Sequence, residues 1–248
     1  MSGHSKWATI KHQKAAKDKT RGKVFAKLIR QVEVAAREGG GDLEANATLR
    51  TMYNKARAAS VPLDTIERAI KRGTGELEGV SYESITYEGY APGGVAVLID
   101  VLTDNRNRTG AEVRSMFSKF GGSLAEPGAV AWQFTRRGVV QLADGEEDDV
   151  MAVALDAGAD DVVAEGDGWR VTCEPGDVEA VRQAFEDAGL TVVSAEATMV
   201  PTTTVPITSA EDARKVLRVV DALEEHDDVQ DVYANFDIPD EVMSLMEV

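Results

Sequence analysis

The stretch GVVQLADGEEDDVMAVALDAGADDVVAEGDGWRVTC, residues 138–173, places one Ala-rich amphipathic segment among short β-branched runs. Another amphipathic segment and another β-branched run follow it. In chain order the pattern predicts a strand, a helix, two strands, a helix and a strand, at 139–142, 148–157, 162–164, 169–173, 178–188 and 191–197. This βαββαβ order is that of a split, ferredoxin-like unit.

The flanking segments predict a second α/β domain that this unit interrupts. Ahead of it the pattern indicates two strands, a helix and the start of a further strand, at 85–90, 95–102, 109–120 and 130–134. Behind it come a helix and a strand, at 210–223 and 229–236. These last two elements could complete the sheet begun near residue 85. We therefore predict a discontinuous α/β domain of residues 77–137 and 201–248, with residues 138–200 inserted as a ferredoxin-like α/β domain.

The first 76 residues predict a small helical bundle. Apolar residues recur with helical spacing at 20–38, from 43 or 47 to 59, and at 62–73. Residues 2–19 lack that periodicity and are expected to form an extended or partly helical arm. The predicted fold class is α+β with three domains: an N-terminal three-helix domain with a basic arm, and two ferredoxin-like α/β sandwich domains, one inserted in the other.

Charge is distributed very unevenly along the chain. Residues 1–75 hold 16 of the 27 Lys and Arg and 7 of the 43 Asp and Glu, a net charge of +9. The remaining 11 basic and 36 acidic residues give −25, and the whole chain has −16. The overall charge therefore hides a basic module that can neutralise phosphates, and the acidic remainder would orient that module towards a polyanion.

The composition places the chain among globular proteins of the cytoplasm. Hydrophobic residues make up 43% and charged residues 28%. No apolar run reaches the roughly 18 residues needed to cross a bilayer, and no secretory h-region follows the basic N-terminus. We expect a cytoplasmic protein that does not bind membranes.

Basic side chains cluster on the arm and on one side of the first helix. Opposite its apolar side lie Lys23, Lys27, Arg30 and Arg37, so this basic face is expected to be free of protein contacts. The predicted nucleic-acid-binding residues are Lys6, Trp7, Lys11, His12, Lys14, Lys17, Lys19, Arg21, Lys23, Lys27, Arg30, Arg68, Lys71, Arg72, Arg106 and Arg108.

Alternatives stay open for several of these residues. Any single Lys or Arg is equally well explained as part of a solvated helix face. Trp7 can stack on a base or dock the arm on the bundle. Arg106 and Arg108 flank a helix start that Thr109 would cap; they either contact phosphate there or form a local network with Asp100 or Asp104.

The sequence predicts no catalytic, metal or cofactor site and no small-molecule substrate. The single cysteine, Cys173, falls on the apolar face of a strand and is expected to pack in a core. The glycine-rich run at 89–94 lacks the Lys-Ser/Thr ending of a phosphate loop. The acidic runs at 146–149 and 224–228 lack the spacing of a closed metal site and are interpreted as solvated charge.

Several motifs together resemble the YebC family from one end of the chain to the other. They are Gly3-His4-Ser5-Lys6-Trp7, Lys14-Ala15-Ala16, Arg21-Gly22-Lys23, Ile66-Glu67-Arg68-Ala69-Ile70-Lys71-Arg72-Gly73, Tyr87-Glu88-Gly89-Tyr90, Leu102-Thr103-Asp104-Asn105-Arg106-Asn107-Arg108, and Val229 with Val232-Tyr233 and Asn235-Phe236-Asp237.

The resemblance implies a three-domain cytosolic protein without enzymatic activity. Members of the family are named probable transcriptional regulators because they bind DNA. Other members are regarded as translation factors that act on the ribosome at proline-rich stretches. A basic arm on a helical bundle suits duplex DNA and ribosomal RNA alike.

Two functional hypotheses follow. The first is a DNA-binding transcriptional regulator, which needs an element that reads base edges, and no such helix is evident in the sequence. The second is a ribosome-associated, rRNA-contacting translation factor that relieves stalling at proline-rich stretches. This role requires only contacts with phosphate groups and recognition of the shape of the RNA. An enzyme is disfavoured because no base, nucleophile or metal set converges.

Overall fold

The computed structural model describes residues 18–166 and 168–245, and at 18–21 and 240 it describes the backbone alone. The helices are α1 (Asp18–Gly39), α2 (Ala47–Ala58), α3 (Leu63–Gly73), α4 (Arg106–Lys119), α5 (Glu147–Asp156), α6 (Val178–Asp187), α7 (Ala210–Glu224) and α8 (Asp240–Ser244). The strands are β1 (Glu83–Ala91), β2 (Val95–Thr103), β3 (Ser123–Leu124), β4 (Phe134–Leu142), β5 (Asp161–Glu165), β6 (Gly168–Cys173), β7 (Val192–Pro201), β8 (Val205–Pro206), β9 (Val229–Ala234) and β10 (Phe236–Asp237).

Helices α1 to α3 form the helical domain, in which α1 packs against both of the others. Val32, Leu49 and Ile66, one from each helix, are fully buried together. Gly73 allows α3 to approach α1 closely, because a Cβ atom there would lie 2.4 Å from the carbonyl oxygen of Glu33. The predicted amphipathic helices therefore form the predicted bundle.

The discontinuous domain is built on an antiparallel sheet with the strand order β3-β1-β2-β9. One face of β2 packs against α4 and α7, and its other face packs against residues 129–134. Both faces are covered, which explains why β2 is a continuous apolar run rather than an alternating one. Strand β9 pairs with β2, so the prediction that the C-terminal helix and strand complete the first sheet is confirmed.

The inserted domain has the strand order β5-β6-β4-β7, with α5 and α6 against one face. Strands β4 and β7 pair from Phe134 opposite Pro201 to Leu142 opposite Val192, so this sheet begins at Phe134. Cys173 is buried in the core, as expected.

The predicted α+β, three-domain fold class is confirmed. The inserted domain has the βαββαβ chain order of the ferredoxin-like unit. The discontinuous domain also contains a four-stranded antiparallel sheet covered by two helices, but these six elements follow the chain order β-β-α-β before the insertion and α-β after it.

The start of α4 differs from the prediction. The sequence analysis placed the helix at 109–120 with Thr109 as its cap, whereas α4 begins at Arg106 and its N-cap is Asn105. The Asn105 side chain accepts a hydrogen bond from the backbone N–H of Arg108 at 3.1 Å. Thr109 lies one turn inside the helix and is fully buried.

A buried carboxylate holds the segment that leads from the discontinuous domain into the inserted one. Glu88 accepts hydrogen bonds from the backbone N–H groups of Gly128, Val130 and Ala131, at 2.6, 2.6 and 2.8 Å. Burial by itself would raise the pKa of Glu88, but these three hydrogen bonds hold the pKa below its ordinary value.

The packing at Gly89 generates a prediction about stability. A Cβ atom at Gly89 would lie 2.5 Å from Cζ of Phe117, which is fully buried. We expect Gly89→Ala to lower the free energy of unfolding by about 1–3 kcal/mol, because the core must shift to admit the methyl group. Urea unfolding measures the change.

Gly176→Ala is the matched control, because a Cβ atom there meets nothing within 4 Å. It should change the free energy of unfolding by less than about 0.5 kcal/mol. Equal stability of the two variants would contradict this account of Gly89.

Candidate nucleic-acid interface

The predicted binding residues divide into those that the structure describes and those that it does not. Lys6, Trp7, Lys11, His12, Lys14 and Lys17 lie outside the described residues. Lys19 and Arg21 belong to the first turn of α1, but their side chains also lie outside the description. The geometry that follows concerns the other eight.

The basic face of α1 contacts the discontinuous domain. The Nζ atom of Lys23 donates to the carbonyl oxygen of Glu225 at 2.7 Å, and that of Lys27 donates to the carbonyl oxygen of Glu224 at 2.8 Å. The prediction that this face is free of protein contacts is therefore wrong.

The reason is the chemistry of a helix C-terminus. Glu224 is the last residue of α7 and Glu225 is its C-cap. The last carbonyl groups of a helix have no intrahelical partner and carry the negative end of the helix dipole. Two lysine ammonium groups, one helical turn apart on α1, supply the missing donors and the opposite charge.

Arg30 extends this contact by almost another turn. Its Nη1 atom lies 3.0 Å from the carbonyl oxygen of Leu102, 2.9 Å from that of Asp227 and 3.0 Å from Oδ1 of Asp228. Its guanidinium lies over the Tyr82 ring, 5.1 Å from the centroid. These contacts join the end of β2, the loop after α7 and the helical domain at one point.

Asp228 is the acidic centre of this junction and is only 5% exposed. Besides Arg30, it accepts hydrogen bonds from Nη2 of Arg108 at 2.7 Å and from Oγ1 of Thr109 at 2.6 Å. The interpretation of the acidic run at 224–228 as solvated charge is therefore wrong for Asp228. Its buried position follows from its partners on β2, α4 and α1, which no local pattern contains.

The pKa of Asp228 reflects these partners. Burial by itself would raise the pKa, but the hydrogen bonds from Thr109 and Arg108 and the charges of Arg30 and Arg108 together hold it below its ordinary value. Asp228 is consequently an anion at neutral pH, although it is almost fully buried.

The sequence analysis gave Arg106 and Arg108 the same two alternatives, but their side chains differ in their contacts. Arg108 forms the local network, with Nη2 at 2.9 Å from Oδ1 of Asp104, and adds the contact to Asp228. These hydrogen bonds raise its pKa above the ordinary value of arginine. The Arg106 side chain is exposed and makes no hydrogen bond or ion pair with any residue that the structure describes. Of these two arginines, Arg106 alone has a side chain without a partner among the described residues.

The basic residues of α3 are also unequal. Arg68 pairs with Asp64 on the same helix. Arg72 is half-buried, and its Nε atom donates to the buried carboxylate of Glu33 at 2.8 Å. Lys71 is exposed, and among the described residues its ammonium has no partner.

Helices α2 and α3 resemble a helix-turn-helix unit in their connection. Four residues join them, and Ser60 among these has a φ of 64°, in the left-handed region. In such units the N-terminal residues of the second helix read base edges in the major groove. Here those exposed positions are occupied by Asp64 and Glu67, which would face DNA with negative charge. The exposed start of α3 therefore lacks the basic or amide side chains that read base edges.

A cleft of about 530 Å³ opens at the junction beside Lys23, Arg30 and Arg108. His226 closes one side; its Nδ1 atom accepts from the backbone N–H of Asp228 at 3.1 Å, and its Nε2 atom lies 2.8 Å from Oε2 of Glu112. Among the described residues no group of three or more His, Cys, Asp or Glu side chains is arranged to hold a metal ion. In the same part of the chain, none of the helices combines the length and the apolar character needed to cross a membrane.

The fold and this site define a class: a three-domain α+β protein in which a basic helical module is carried on an acidic body. Family models match both parts. The model described as "TACO1/YebC protein N-terminal domain" matches residues 5–76, and the model described as "TACO1/YebC second and third domain" matches residues 82–236. The chain belongs to the TACO1/YebC family.

Similar proteins span the full length of the chain. One from Halothermothrix orenii is 55% identical over 247 residues, with 98% of each chain covered. One from Rubrobacter xylanophilus is 57% identical over 248 residues, again with 98% of each chain covered. Both are named "Probable transcriptional regulatory protein". The crystal structure of a conserved hypothetical protein from Aquifex aeolicus matches with a TM-score of 0.80 and 44% identity, covering 91% of this chain and 94% of that one.

The Asp228 network generates a prediction about stability and pH. We expect Asp228→Asn to lower the free energy of unfolding at neutral pH by about 1–3 kcal/mol, because the amide cannot replace a charged acceptor of four donors, namely Arg30, Arg108, Thr109 and Thr103. The folded-state pKa lies below the unfolded value of about 3.9, so the stabilisation is present above pH 4 or so and is lost as the pH falls through the folded pKa.

The difference between wild type and variant should therefore shrink in acid, which urea unfolding across a pH series measures. Asp227→Asn is the control. The Asp227 side chain is exposed, and this substitution removes the same charge from the neighbouring position. A difference that is independent of pH would show that the charge of Asp228 contributes no stability.

Proposed function

We propose that this protein is a non-enzymatic, nucleic-acid-binding regulator of gene expression, and specifically a DNA-binding transcriptional regulator that acts in the cytoplasm. The observation that carries the proposal is the segregation of charge: +9 over residues 1–75 against −25 over the rest. The names of the relatives from Halothermothrix orenii and Rubrobacter xylanophilus support the same role.

The proposed contact surface has two parts. The first is the basic N-terminal segment, from Lys6 to Arg21. The second consists of three of the exposed cations whose side chains have no partner among the described residues: Arg57, Lys71 and Arg106. Arg57 is not among the residues predicted to bind from the sequence, because a single exposed arginine on a helix has no distinctive pattern. Six other predicted residues already form hydrogen bonds or ion pairs within the protein: Lys23, Lys27, Arg30, Arg68, Arg72 and Arg108. They contribute to nucleic-acid binding only if phosphate contacts replace these intramolecular contacts.

The chemistry of this surface predicts binding to the phosphate backbone. Lysine and arginine side chains neutralise phosphates whatever the base sequence, and the counterions they release make the affinity fall steeply with salt. The acidic N-terminal face of α3 argues against base-edge readout, so sequence preference should be weak or based on shape.

A ribosome-associated, rRNA-contacting role is the second candidate. It is favoured by the same observation on α3, because recognition of folded RNA relies on phosphates and shape and needs no helix in a major groove. Sedimentation of a cell lysate at low and high salt separates the candidates. Free migration at both salts would count against the ribosome, and a reproducible footprint at one promoter would support transcription.

Binding to a DNA duplex of about 20 base pairs tests the proposed surface, with fluorescence anisotropy at salt concentrations between about 50 and 200 mM. Deletion of residues 2–17 leaves α1 intact and should remove most of the affinity. The double variant Arg57→Gln/Lys71→Gln should reduce the slope of log affinity against log salt by nearly 2, because each phosphate contact contributes about 0.9.

Lys215→Gln is the control for the double variant. Lys215 is an exposed cation of the acidic body and already pairs with Glu211 at 2.9 Å and Asp212 at 3.3 Å. Its loss should leave the salt slope unchanged. Unchanged binding after deletion of residues 2–17 would show that the N-terminal segment does not contact nucleic acid.

A further inference from the structure

We propose that the junction between the helical domain and the discontinuous domain is an autoinhibitory lock that nucleic acid opens. In the closed arrangement Lys23, Lys27 and Arg30 bind the end of α7 and Asp228; in the open arrangement the same three cations bind phosphates. This inference rests on the proposed function and adds a regulatory step to it.

The first step of the argument is that the junction is polar. Among the described residues, α1 is joined to the discontinuous domain by hydrogen bonds from three cationic side chains to four carbonyl oxygens and one carboxylate. The buried apolar cluster of the helical domain and its partly buried neighbours fall between Phe25 and Ile70, and this cluster includes no residue of the sheet domains. Domains joined by polar contacts without a shared apolar core are expected to move relative to one another.

The second step is that opening leaves no buried charge without a partner. Asp228 keeps its hydrogen bonds from Arg108 and Thr109, both of which belong to the discontinuous domain. Glu225 is exposed, and water can replace Lys23 at its carbonyl group. The strong penalty for orphaning a buried carboxylate is therefore avoided.

The third step is that the connection permits the movement. No helix or strand lies between Gly73, where α3 ends, and Glu83, where β1 begins. Between the helical domain and the inserted domain, Lys55 and Glu196 form an exposed ion pair at 3.4 Å. Exposed pairs of this kind contribute little to stability.

The fourth step is competition for the same donors. A phosphate group carries more charge than a backbone carbonyl, and it forms charge-assisted hydrogen bonds with lysine and arginine. The cleft beside Lys23 and Arg30 lets solvent and small anions reach this end of the junction. A duplex bound to the N-terminal segment would present phosphates next to α1, because that segment leads directly into it.

The test combines an interdomain distance with an affinity. Spin labels at Glu67→Cys on α3 and Ser118→Cys on α4 report the distance between the helical and discontinuous domains; both positions are exposed. Cys173 stays in place because its thiol is buried and desolvation raises its pKa. We expect one short distance in low salt and a longer or broader distribution with a saturating DNA duplex or in high salt.

Asp228→Asn tests the lock by changing the carboxylate that accepts the hydrogen bond from Arg30. It weakens docking without changing any cation, so affinity for the duplex should rise roughly threefold to tenfold. Asp227→Asn removes the same charge from an exposed side chain and keeps the carbonyl acceptor, so it should leave the affinity near that of wild type. Far-UV circular dichroism confirms that both variants are folded, and the distance measurement on otherwise wild-type protein is independent of either.

The outcomes separate the lock from the proposed function. Binding of the duplex with an unchanged interdomain distance would overturn the lock alone. Equal affinities of the Asp228→Asn and Asp227→Asn proteins would also overturn it. Absence of binding to DNA and RNA duplexes at low salt would overturn the proposed function and the lock together.

Discussion

The buried carboxylate of Asp228 is the acidic centre of the contact between the helical domain and the discontinuous domain. It lies between Arg30 of the helical domain and Arg108 and Thr109 of the discontinuous domain. A carboxylate this well covered is tolerated because each of its oxygens has a charged donor. In the same orientation of α1, Lys23 and Lys27 lie against the end of α7.

This arrangement changes the meaning of the charge asymmetry in the chain. A basic face opposite an apolar face normally indicates a surface that is open to solvent or to a polyanion. Here two residues of that face, Lys23 and Lys27, donate hydrogen bonds to carbonyl groups at the end of α7 in the acidic body, as capping residues would. What stays exposed in the described residues is a smaller and more scattered set, of which Arg57, Lys71 and Arg106 are members. Part of the basic module is therefore an interdomain contact.

Much of the fold could be predicted, because its elements depend on local periodicity. The third helix was predicted at 62–73 and lies at Leu63–Gly73; the last long helix was predicted at 210–223 and lies at Ala210–Glu224. The start of α4 was placed three residues late because Thr109 looked like a cap, whereas its hydroxyl is turned inward to Asp228. Asn105, the real cap, has the same local chemistry, and only the position of Asp228 distinguishes the two.

The sequence by itself determined the amphipathic segments, their βαββαβ order and the separation of positive from negative charge, since each depends on residue type and spacing alone. The tertiary structure decided which cations are free and which acid is buried. The acceptors of Lys23 and Lys27 are backbone carbonyl groups about 200 residues further along the chain. Every residue carries such a group, so no residue type marks the ones that a folded helix end leaves without a partner.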